Sequence, residues 1–390
     1  MKKHKKHAEV TKPSYGFFGR NEWSIVGTPC GNIKKLAFEL TKRLSDQYSV
    51  AYVDADHAGA DTEAEQGRNA QTAMAHGAKL EYTDKITFHR FDVEQQFDRY
   101  QYRQWFNETD LVLVNGNHFQ AKQQIVVIDP KKEKSLHKRL AQLTDVQLIL
   151  LTEGVEDMFP FLQEHLSESS HPPILQSSNI NGIAEFLLAK MQTSKPPLYG
   201  LVLAGGKSER MGQDKGALDY HGKPQREYAA DLLSPFCEQT FISTRPGQAI
   251  ESAYPLLADK FLDLGPYGAI LSAFRLQPNA AWMVVACDLP LLDEKTLRQL
   301  VENRNRSKVA TAFHNPETKF PEPLITIWEP RAYPVLLQFL AQGYTCPRKA
   351  LINSDIKELQ IENTDALLNV NKPEELEAVL NLVKNDYIKN

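Results

Sequence analysis

The chain has 390 residues, of which 42% are hydrophobic and 24% charged, and its formal net charge is −4. This length predicts two domains, and the slightly acidic balance gives no reason to expect binding to nucleic acid or to an anionic membrane. No apolar run is long enough to span a bilayer, and four scattered cysteines without CxxC spacing argue against a zinc site, so a cytoplasmic protein is expected.

A stretch rich in Ser, Thr, Pro and Lys, Gln192–Pro197, is the best candidate for a linker. We therefore expect a tail over residues 1–22, a first domain over 23–191 and a second over 198–390. Each half alternates short leucine-rich or β-branched runs with amphipathic segments. This alternation predicts two three-layer α/β/α domains.

The first half contains five predicted strands and four predicted helices. The strands are Trp23–Val26, Val50–Val53, Leu111–Val114, Ile125–Ile128 and Leu148–Leu151. The helices are Ile33–Leu44, Ala64–His76, Lys131–Leu143 and Ile180–Met191. A nucleotide-binding loop would lie between the first strand and the first helix.

The residues of that loop do not match a working phosphate-binding loop. Counting from Gly27, the second glycine, the phosphate lysine and the Mg²⁺-binding hydroxyl are replaced by Asn32, Ile33 and Lys34. An apolar side chain cannot replace an ammonium at the phosphates, and a lysine cannot coordinate Mg²⁺. We therefore expect a nucleotide-type fold in the first half that does not hydrolyse a nucleoside triphosphate.

The second half contains five predicted strands and five predicted helices. The strands are Leu198–Leu203, Thr240–Ser243, Trp282–Ala286, Val309–Ala312 and Leu324–Ile327. The helices are Gln225–Leu233, Gly268–Leu276, Glu294–Arg304, Arg331–Leu340 and Pro373–Val383.

The first of these strands runs directly into a glycine loop, which is the most informative segment of the chain. Gly205 and Gly206 follow the strand, and the cations Arg210 and Lys215 come soon after. Glycines let backbone N–H groups approach a ligand closely, and cations add charge that backbone dipoles cannot supply. The segment is therefore suited to holding a nucleoside triphosphate.

Two acidic residues in the second half are candidates for different roles. Asp288 follows the strand Trp282–Ala286, at the carboxyl edge where ligands bind in open α/β sheets. One carboxylate beside a triphosphate is what Mg²⁺ typically takes from a protein, so Asp288 is the candidate metal ligand. Asp293, in contrast, is placed to cap the next helix.

Weaker signals come from Asp259, Asn369 and Asn371. Asp259 and Asp263 precede a Gly-Pro turn, and either acid could face the substrate across the carboxyl edge of the sheet, although an aspartate before Gly-Pro is also ordinary turn chemistry. Asn369 and Asn371 flank a valine in a predicted short strand, where alternate side chains share a face. Helix capping is the simpler interpretation for at least one of the two asparagines.

Five separated motifs together give the second half a resemblance to a known family. The motifs are Leu203-Ala-Gly-Gly-x-Ser-x-Arg-Met-Gly-x-Asp-Lys215, Gly265-Pro-Tyr-Gly268, Cys287-Asp-Leu-Pro290, Pro323-Leu324 and Asn369-Val-Asn-x-Pro-Glu-Glu-Leu376. In this order they resemble the MobA molybdenum cofactor guanylyltransferase family. The resemblance implies a Rossmann-like nucleotidyltransferase fold for this half.

The resemblance also implies a reaction, in which the phosphate of molybdopterin attacks the α-phosphorus of GTP and pyrophosphate leaves. Arg210, Lys215 and Asp288 would be catalytic, with Asp288 holding Mg²⁺. The implied nucleotide-binding residues are Leu203, Ala204, Gly205, Gly206, Lys215, Asp259 and Asp288. Asn369 and Asn371 would contact the pterin substrate. A related transferase that uses CTP or a sugar phosphate, and a non-catalytic molybdopterin carrier, are the alternatives.

The first half is similar to MobB, the P-loop partner protein of that family. The similarity rests on the loop after the first strand and on Val53-Asp-Ala-Asp-His57 and Asp110-Leu-Val-Leu-Val-Asn-Gly116. It implies a degenerate P-loop-NTPase-like domain that does not hydrolyse GTP. For the whole chain, the two resemblances imply acceptor molybdoenzymes and other cofactor-biosynthesis proteins as partners.

Overall fold

The computed structural model describes residues 17–55, 73–93, 102–167, 171–205 and 214–370. The chain folds into two compact units. The N-terminal unit is Arg20–Lys190, and the C-terminal unit combines the segment ending at Gly19 with the chain from Met191 onwards. Within the described ranges, no helix has the length and apolar character needed to cross a membrane.

The N-terminal unit is built on a parallel sheet of six strands in the order β2-β5-β1-β6-β7-β8. The strands are β1 Asn21–Val26, β2 Val50–Val53, β5 Leu111–Asn115, β6 Gln123–Ile128, β7 Val146–Leu151 and β8 Ile174–Gln176. A separate antiparallel hairpin is formed by β3 Leu80–Asp84 and β4 His89–Val93. The five predicted strands of this half are confirmed, and the hairpin and β8 are additions.

Helices cover both faces of this sheet. The described α-helices of the unit are α1 Cys30–Leu44, α2 Glu133–His137, α3 Pro160–Ser167 and α4 Ile180–Thr193. On one face Trp23 meets Phe186 of α4 edge to face, with ring centroids 6.0 Å apart. On the other face Val26 belongs to a buried cluster with Leu136 of α2 and Leu162 of α3. The α/β/α prediction is therefore confirmed for this unit.

The predicted helix Lys131–Leu143 is wrong as a continuous helix. The five-residue α2 is flanked by 3₁₀ turns at Pro130–Lys132 and Leu140–Gln142. The side chain of buried Gln124 donates to the carbonyl of Gln142 at 2.6 Å. This tertiary hydrogen bond competes with helix formation for a backbone acceptor at the end of the segment. Most of the predicted helix Ala64–His76 lies outside the described residues, and its described end is a 3₁₀ turn, Met74–His76.

The loop between β1 and α1 makes a close backbone approach at Gly27. This glycine has φ +98°, and a Cβ placed there would lie 2.3 Å from the carbonyl oxygen of Val127. We expect Gly27→Ala to lower the free energy of unfolding of this unit by about 3 kcal/mol, since it combines left-handed strain with a backbone clash. Urea unfolding of the full chain measures this effect. Gly31→Ala is the matched control because nothing lies within 4 Å of its Cβ position, and equal losses in both variants would contradict the prediction.

The C-terminal unit has a mixed sheet of seven strands in the order β11-β10-β9-β12-β14-β13-β15. The strands are β9 Leu198–Leu203, β10 Gln239–Thr244, β11 Leu256–Ala258, β12 Ala281–Ala286, β13 Ala310–Asn315, β14 Phe320–Trp328 and β15 Lys357–Gln360. Only β14 runs antiparallel to its neighbours among the paired strands described. From β9 the chain adds β10 and β11 on one side of the sheet and then crosses to add β12 on the other side. At such a change of direction a crevice opens between the carboxyl ends of the two neighbouring strands, here β9 and β12.

Alternate residues of the central strands face two different helical layers. The described helices are α5 Gln225–Leu233, α6 Pro266–Leu276, α7 Glu294–Glu302, α8 Ala332–Ala341 and α9 Pro347–Ile352. Met283 of β12 packs in a cluster with α5 and α7, and its neighbour Trp282 packs with α6, α8 and α9. The second α/β/α layer prediction is therefore also confirmed.

The two chain segments that flank the N-terminal unit, before Arg20 and after Lys190, are both held within the C-terminal unit. The amide groups of Phe17 and Phe18 each donate to Oδ1 of Asn279 at 3.2 Å. The carbonyl of Pro196, at the end of the predicted linker, accepts from Arg304 at 3.1 Å. The chain thus leaves this unit after residue 19 and returns to it at Met191, and β1 begins inside the predicted tail.

Candidate active site

The ends of two neighbouring parallel strands bring the glycine loop and Asp288 together. Leu203 of β9 pairs with Ala286 of β12, and the amide of Cys287 continues the ladder by donating to the carbonyl of Leu203 at 3.3 Å. Gly205 and Asp288 follow these strand ends by two residues each. The expected position of Asp288 at the carboxyl edge of the sheet is therefore observed.

Lys215 reaches Asp288 across 73 residues of sequence. Its Nζ lies 3.1 Å from Oδ2 of Asp288, and the two side chains are 18% and 22% exposed. Lys215 begins a 3₁₀ turn, Lys215–Ala217, in which the N–H of Gly216 donates to Oδ1 of Asp214 at 3.0 Å. An ammonium and a carboxylate are thus held side by side at the base of the crevice.

The second oxygen of Asp288 is buried and has no hydrogen-bond partner in the described structure. A buried carboxylate oxygen without a donor carries an unrecovered desolvation cost, and a cation at this position would offset that cost. The described residues contain no group of three or more His, Cys, Asp and Glu side chains arranged for a metal. The site therefore fits a metal that takes one protein carboxylate and completes its shell with phosphate oxygens and water, as Mg²⁺ does.

These groups line a cavity of about 870 Å³. The volume falls within the usual range for small-molecule sites. Six of the sequence-predicted site residues line it: Leu203, Ala204, Gly205, Lys215, Asp259 and Asp288. The structure thus brings together residues that are widely separated in the sequence.

Asp259 contributes another carboxylate to the cavity wall. Its side chain accepts a hydrogen bond from Oγ of Ser243 at 3.2 Å, and its amide donates to the carbonyl of Thr244. Burial raises the pKa of Asp259 to about 6, although the Ser243 hydrogen bond partly opposes this rise. Asp259 therefore changes charge in the range where many enzymes work.

Two polar residues of the cavity were missed in the sequence. Ser243 is the partner of Asp259, and Arg245 follows the end of β10. The Cγ of Arg245 lies 3.6 Å from the point where a side chain of Gly205 would begin, so its stem runs along the glycine loop. Both residues lie at the carboxyl end of β10, where ligands bind if that strand is next to β9. The sequence shows the polar residues but does not show that β10 is the neighbour of β9.

Asn369 is exposed and does not line the cavity. The strand predicted around it is absent at residues 368–370, where the amide of Val370 donates to the carbonyl of Asp288 at 3.1 Å. The segment is attached to a loop carbonyl and not to a neighbouring strand, which explains why no strand forms. Gly206, Arg210 and Asn371 lie outside the described residues.

The degenerate loop of the N-terminal unit uses its polar groups internally. Thr28 donates to Asp129 at 2.7 Å and accepts from Nδ2 of Asn32 at 3.1 Å. Ile33, at the position of the phosphate lysine, is fully buried, and the ammonium of Lys34 lies over the ring of Phe38. The side chains of Asn32, Ile33 and Lys34 therefore do not provide an ammonium group that points into the loop, as a phosphate-binding lysine would.

Comparison with known proteins places the C-terminal unit in a family. A family model described as "MobA-like NTP transferase domain" matches residues 200–357. A molybdenum cofactor guanylyltransferase of Pseudomonas putida is 34% identical over 194 residues, which cover 48% of this chain and 100% of the relative. A molybdenum cofactor biosynthesis bifunctional protein of Synechocystis is 37% identical over 190 residues.

The alignment with the Synechocystis protein covers 48% of this chain and 54% of the relative, so it spans about half the length of that protein. A crystal structure of molybdopterin-guanine biosynthesis protein B aligns with 44% of this chain and 99% of its own, at 17% identity and a TM-score of 0.32. The Pseudomonas putida guanylyltransferase aligns over its whole length, and the family model matches the half of the chain that carries the cavity. The chain therefore belongs to the MobA-like molybdenum cofactor guanylyltransferase family.

Proposed function

We propose that this protein transfers GMP from GTP to molybdopterin, giving the guanine dinucleotide form of the cofactor and pyrophosphate. The observation that carries the proposal is the adjacent pair of Lys215 and Asp288, with one unpartnered carboxylate oxygen, beside Gly205 in a cavity of nucleotide size. A protein that only carried molybdopterin would not need this combination of charges.

The proposed reaction is a substitution at the α-phosphorus of GTP. An oxygen of the molybdopterin phosphate forms the new P–O bond, the bond from the α-phosphorus to the bridging oxygen breaks, and pyrophosphate takes that electron pair. The protein contributes mainly alignment and charge neutralisation. Lys215 would neutralise charge on the departing pyrophosphate, and the amide groups at Gly205 would bind phosphate oxygens.

Asp288 would hold Mg²⁺, which when bound acts as a Lewis acid and a template for the phosphates. Among the residues outside the described ranges, we propose Gly206 and Arg210 as further phosphate contacts. Asn369 and Asn371 are proposed to contact the pterin. For Asn369 this is supported by the hydrogen bond from the amide of its neighbour Val370 to the carbonyl of Asp288, a residue that lines the cavity. We further propose a cytoplasmic location and transfer of the product to acceptor molybdoenzymes, with other cofactor-biosynthesis proteins as partners.

A nucleotide competition assay tests the proposed substrate. The protein is incubated with molybdopterin, a sugar phosphate and Mg²⁺ in equal concentrations of GTP, CTP and ATP, and the products are identified by mass. The proposal requires the guanine dinucleotide to dominate. A dominant cytosine product, or transfer only to a sugar phosphate, would assign the site to a related transferase, and binding of molybdopterin without any product would indicate a carrier.

The raised pKa of Asp259 predicts a pH dependence for nucleotide binding. We propose that its carboxylate accepts hydrogen bonds from the guanine base, so the base should bind best when Asp259 is ionised. The KM for GTP is then expected to fall as the pH rises through about 6. Steady-state kinetics between about pH 5 and pH 8 measure it, and Asp259→Asn should raise KM and remove the inflection. An unchanged inflection in that variant would assign it to another group.

The same shift predicts the opposite sign for stability. The carboxyl group of Asp259 binds its proton more tightly in the folded chain than in the unfolded chain, because burial raises its pKa from the ordinary 3.8 to about 6. Its contribution to the free energy of unfolding is therefore present below about pH 4 and is lost as the pH rises through about 6. Nucleotide binding and stability should consequently respond to pH in opposite directions at this residue.

A further inference from the structure

The position of Lys215 is determined by the carboxylate that precedes it. One oxygen of Asp214 caps the turn at the amide of Gly216, and the other accepts a hydrogen bond from Nη1 of Arg226 at 2.8 Å. Asp214 is 37% exposed and Arg226 only 12% exposed, so the arginine is the anchored member of the pair. The turn that presents Lys215 is therefore attached to Arg226 through Asp214.

Arg226 is the second residue of α5, and the start of this helix also contacts the loop that carries Asp288. The amide of Gln225 donates to the carbonyl of Leu218 at 2.8 Å, closing the segment that begins at Lys215. The side chain of Gln225 donates to the carbonyl of Leu289 at 3.2 Å. One helix terminus thus holds both the turn of the cation and the loop of the carboxylate.

We propose that Arg226 is a positioning residue for Lys215, acting through Asp214. The inference rests on the proposed function, because it assigns Lys215 its place in the transfer. Arg226 does not line the cavity. A lysine side chain is flexible and its ammonium is a point charge, so its location depends on where the backbone turn starts. A misplacement of about 1 Å from a remote change can lower turnover about 100-fold.

The alternative is an ordinary ion pair that contributes only stability. A partly exposed pair of this kind is worth at most about 1 kcal/mol, so its loss would lower the melting temperature slightly and leave the chemistry intact. A positioning role predicts the opposite balance. Loss of Arg226 should leave the fold and the KM for GTP nearly unchanged and lower kcat about 10- to 100-fold.

Arg226→Met, Arg226→Lys and the control Lys223→Met separate these two roles. Lys223, which precedes α5, makes an exposed ion pair with Asp231 of that helix at 2.6 Å. In Arg226 only Nη1 contacts Asp214, and Nε has no hydrogen-bond partner in the described structure, so lysine can supply the same contact. We therefore expect Arg226→Lys to recover most of kcat and Lys223→Met to keep the wild-type value.

Acylation of the lysines in the full chain, followed by peptide mass analysis, gives a readout that does not depend on activity. In the wild-type protein the ammonium of Lys215 is paired with Asp288 and should react slowly. Arg226→Met is expected to raise the acylation rate of Lys215 several-fold, and neither Arg226→Lys nor Lys223→Met should do so. An unchanged rate in Arg226→Met, or a loss of kcat that follows a loss of folded protein, would overturn the proposal.

Because the labelling experiment needs no substrate, it also separates this proposal from the proposed function. If the wild-type chain formed no dinucleotide but the variants showed the expected labelling pattern, the positioning role of Arg226 would stand and the proposed reaction would be wrong. If the wild-type chain formed the product but Arg226→Met left the labelling of Lys215 unchanged, the reaction would stand and the positioning role would be wrong.

Discussion

Asp288→Asn is expected to lower kcat/KM for dinucleotide formation by roughly 1,000-fold or more, because it removes the charge that would hold Mg²⁺. The folded state should be nearly unaffected. Oδ1 of Asp288 makes no hydrogen bond with the described residues, and the ion pair of Oδ2 with Lys215 is partly exposed. The expected loss of stability is therefore within about 1 kcal/mol. Product formation and thermal unfolding are measured on the same preparation.

Asp293→Asn is the matched control for this prediction. Asp293 lies five residues further along the same loop, and its side chain caps α7 by accepting from the amide of Thr296 at 2.7 Å, as expected from the sequence. Asparagine is also a good N-cap, so activity should stay close to the wild type. Stability should fall by about 1 kcal/mol, because Oδ2 of Asp293 also accepts a hydrogen bond from Nδ2 of Asn363 at 2.9 Å. Wild-type turnover in Asp288→Asn, or an equal loss of turnover in both variants, would contradict the assignment of Asp288 to the metal.

Lys215→Met is expected to lower kcat about 100- to 1,000-fold, since one preorganised charge next to a leaving group typically contributes this much. The methionine keeps most of the stem, so the change tests the ammonium and not the packing. Pyrophosphate release and dinucleotide formation should fall together. Both should be measured with saturating GTP so that a loss of binding does not obscure the loss of turnover.

Lys223→Met provides the comparison for an ordinary surface lysine, since it also loses an ion pair but lies away from the cavity lining. Its kcat should match that of the wild type. If Lys215→Met retained more than about a third of the wild-type kcat, the ion pair of Lys215 with Asp288 would be structural and Lys215 would not be part of the catalytic machinery.

The central strands and the first helix of the C-terminal unit could be predicted because their own sequence determines them. Leu198–Leu203 is an almost continuous apolar run, as buried parallel strands require, and Gln225–Leu233 begins after a proline. The strands Leu256–Ala258 and Lys357–Gln360 were missed. They are three or four residues long, and only one residue in each is buried, so their pairing partners and not their patterns define them.

The site was partly predictable for a similar reason. Gly205 and Asp288 each follow a recognisable strand, and the carboxyl edge of the sheet is where ligands bind. Arg226 and Ser243 could not be assigned in the same way, because their importance depends on which side chain lies opposite them in space. Arg226 gains its role from Asp214, and that contact becomes visible only when the turn and the helix are placed together.

The same limit applies to the N-terminal unit. The loss of the phosphate lysine was evident at Ile33, but the internal use of Thr28 and Asn32 was not. A sequence comparison with a working loop shows which groups are missing. The structure adds that the remaining polar groups already have partners.

Transfer of label from GTP distinguishes nucleotidyl transfer from simple hydrolysis of the triphosphate. The protein is incubated with molybdopterin and Mg²⁺, in parallel with GTP labelled at the α-phosphorus and GTP labelled at the γ-phosphorus. We expect the α label to appear in the dinucleotide and the γ label in pyrophosphate, and neither transfer to occur at a comparable rate in Lys215→Met. Release of the γ label as inorganic phosphate, with no α label on the pterin, would contradict nucleotidyl transfer at this site.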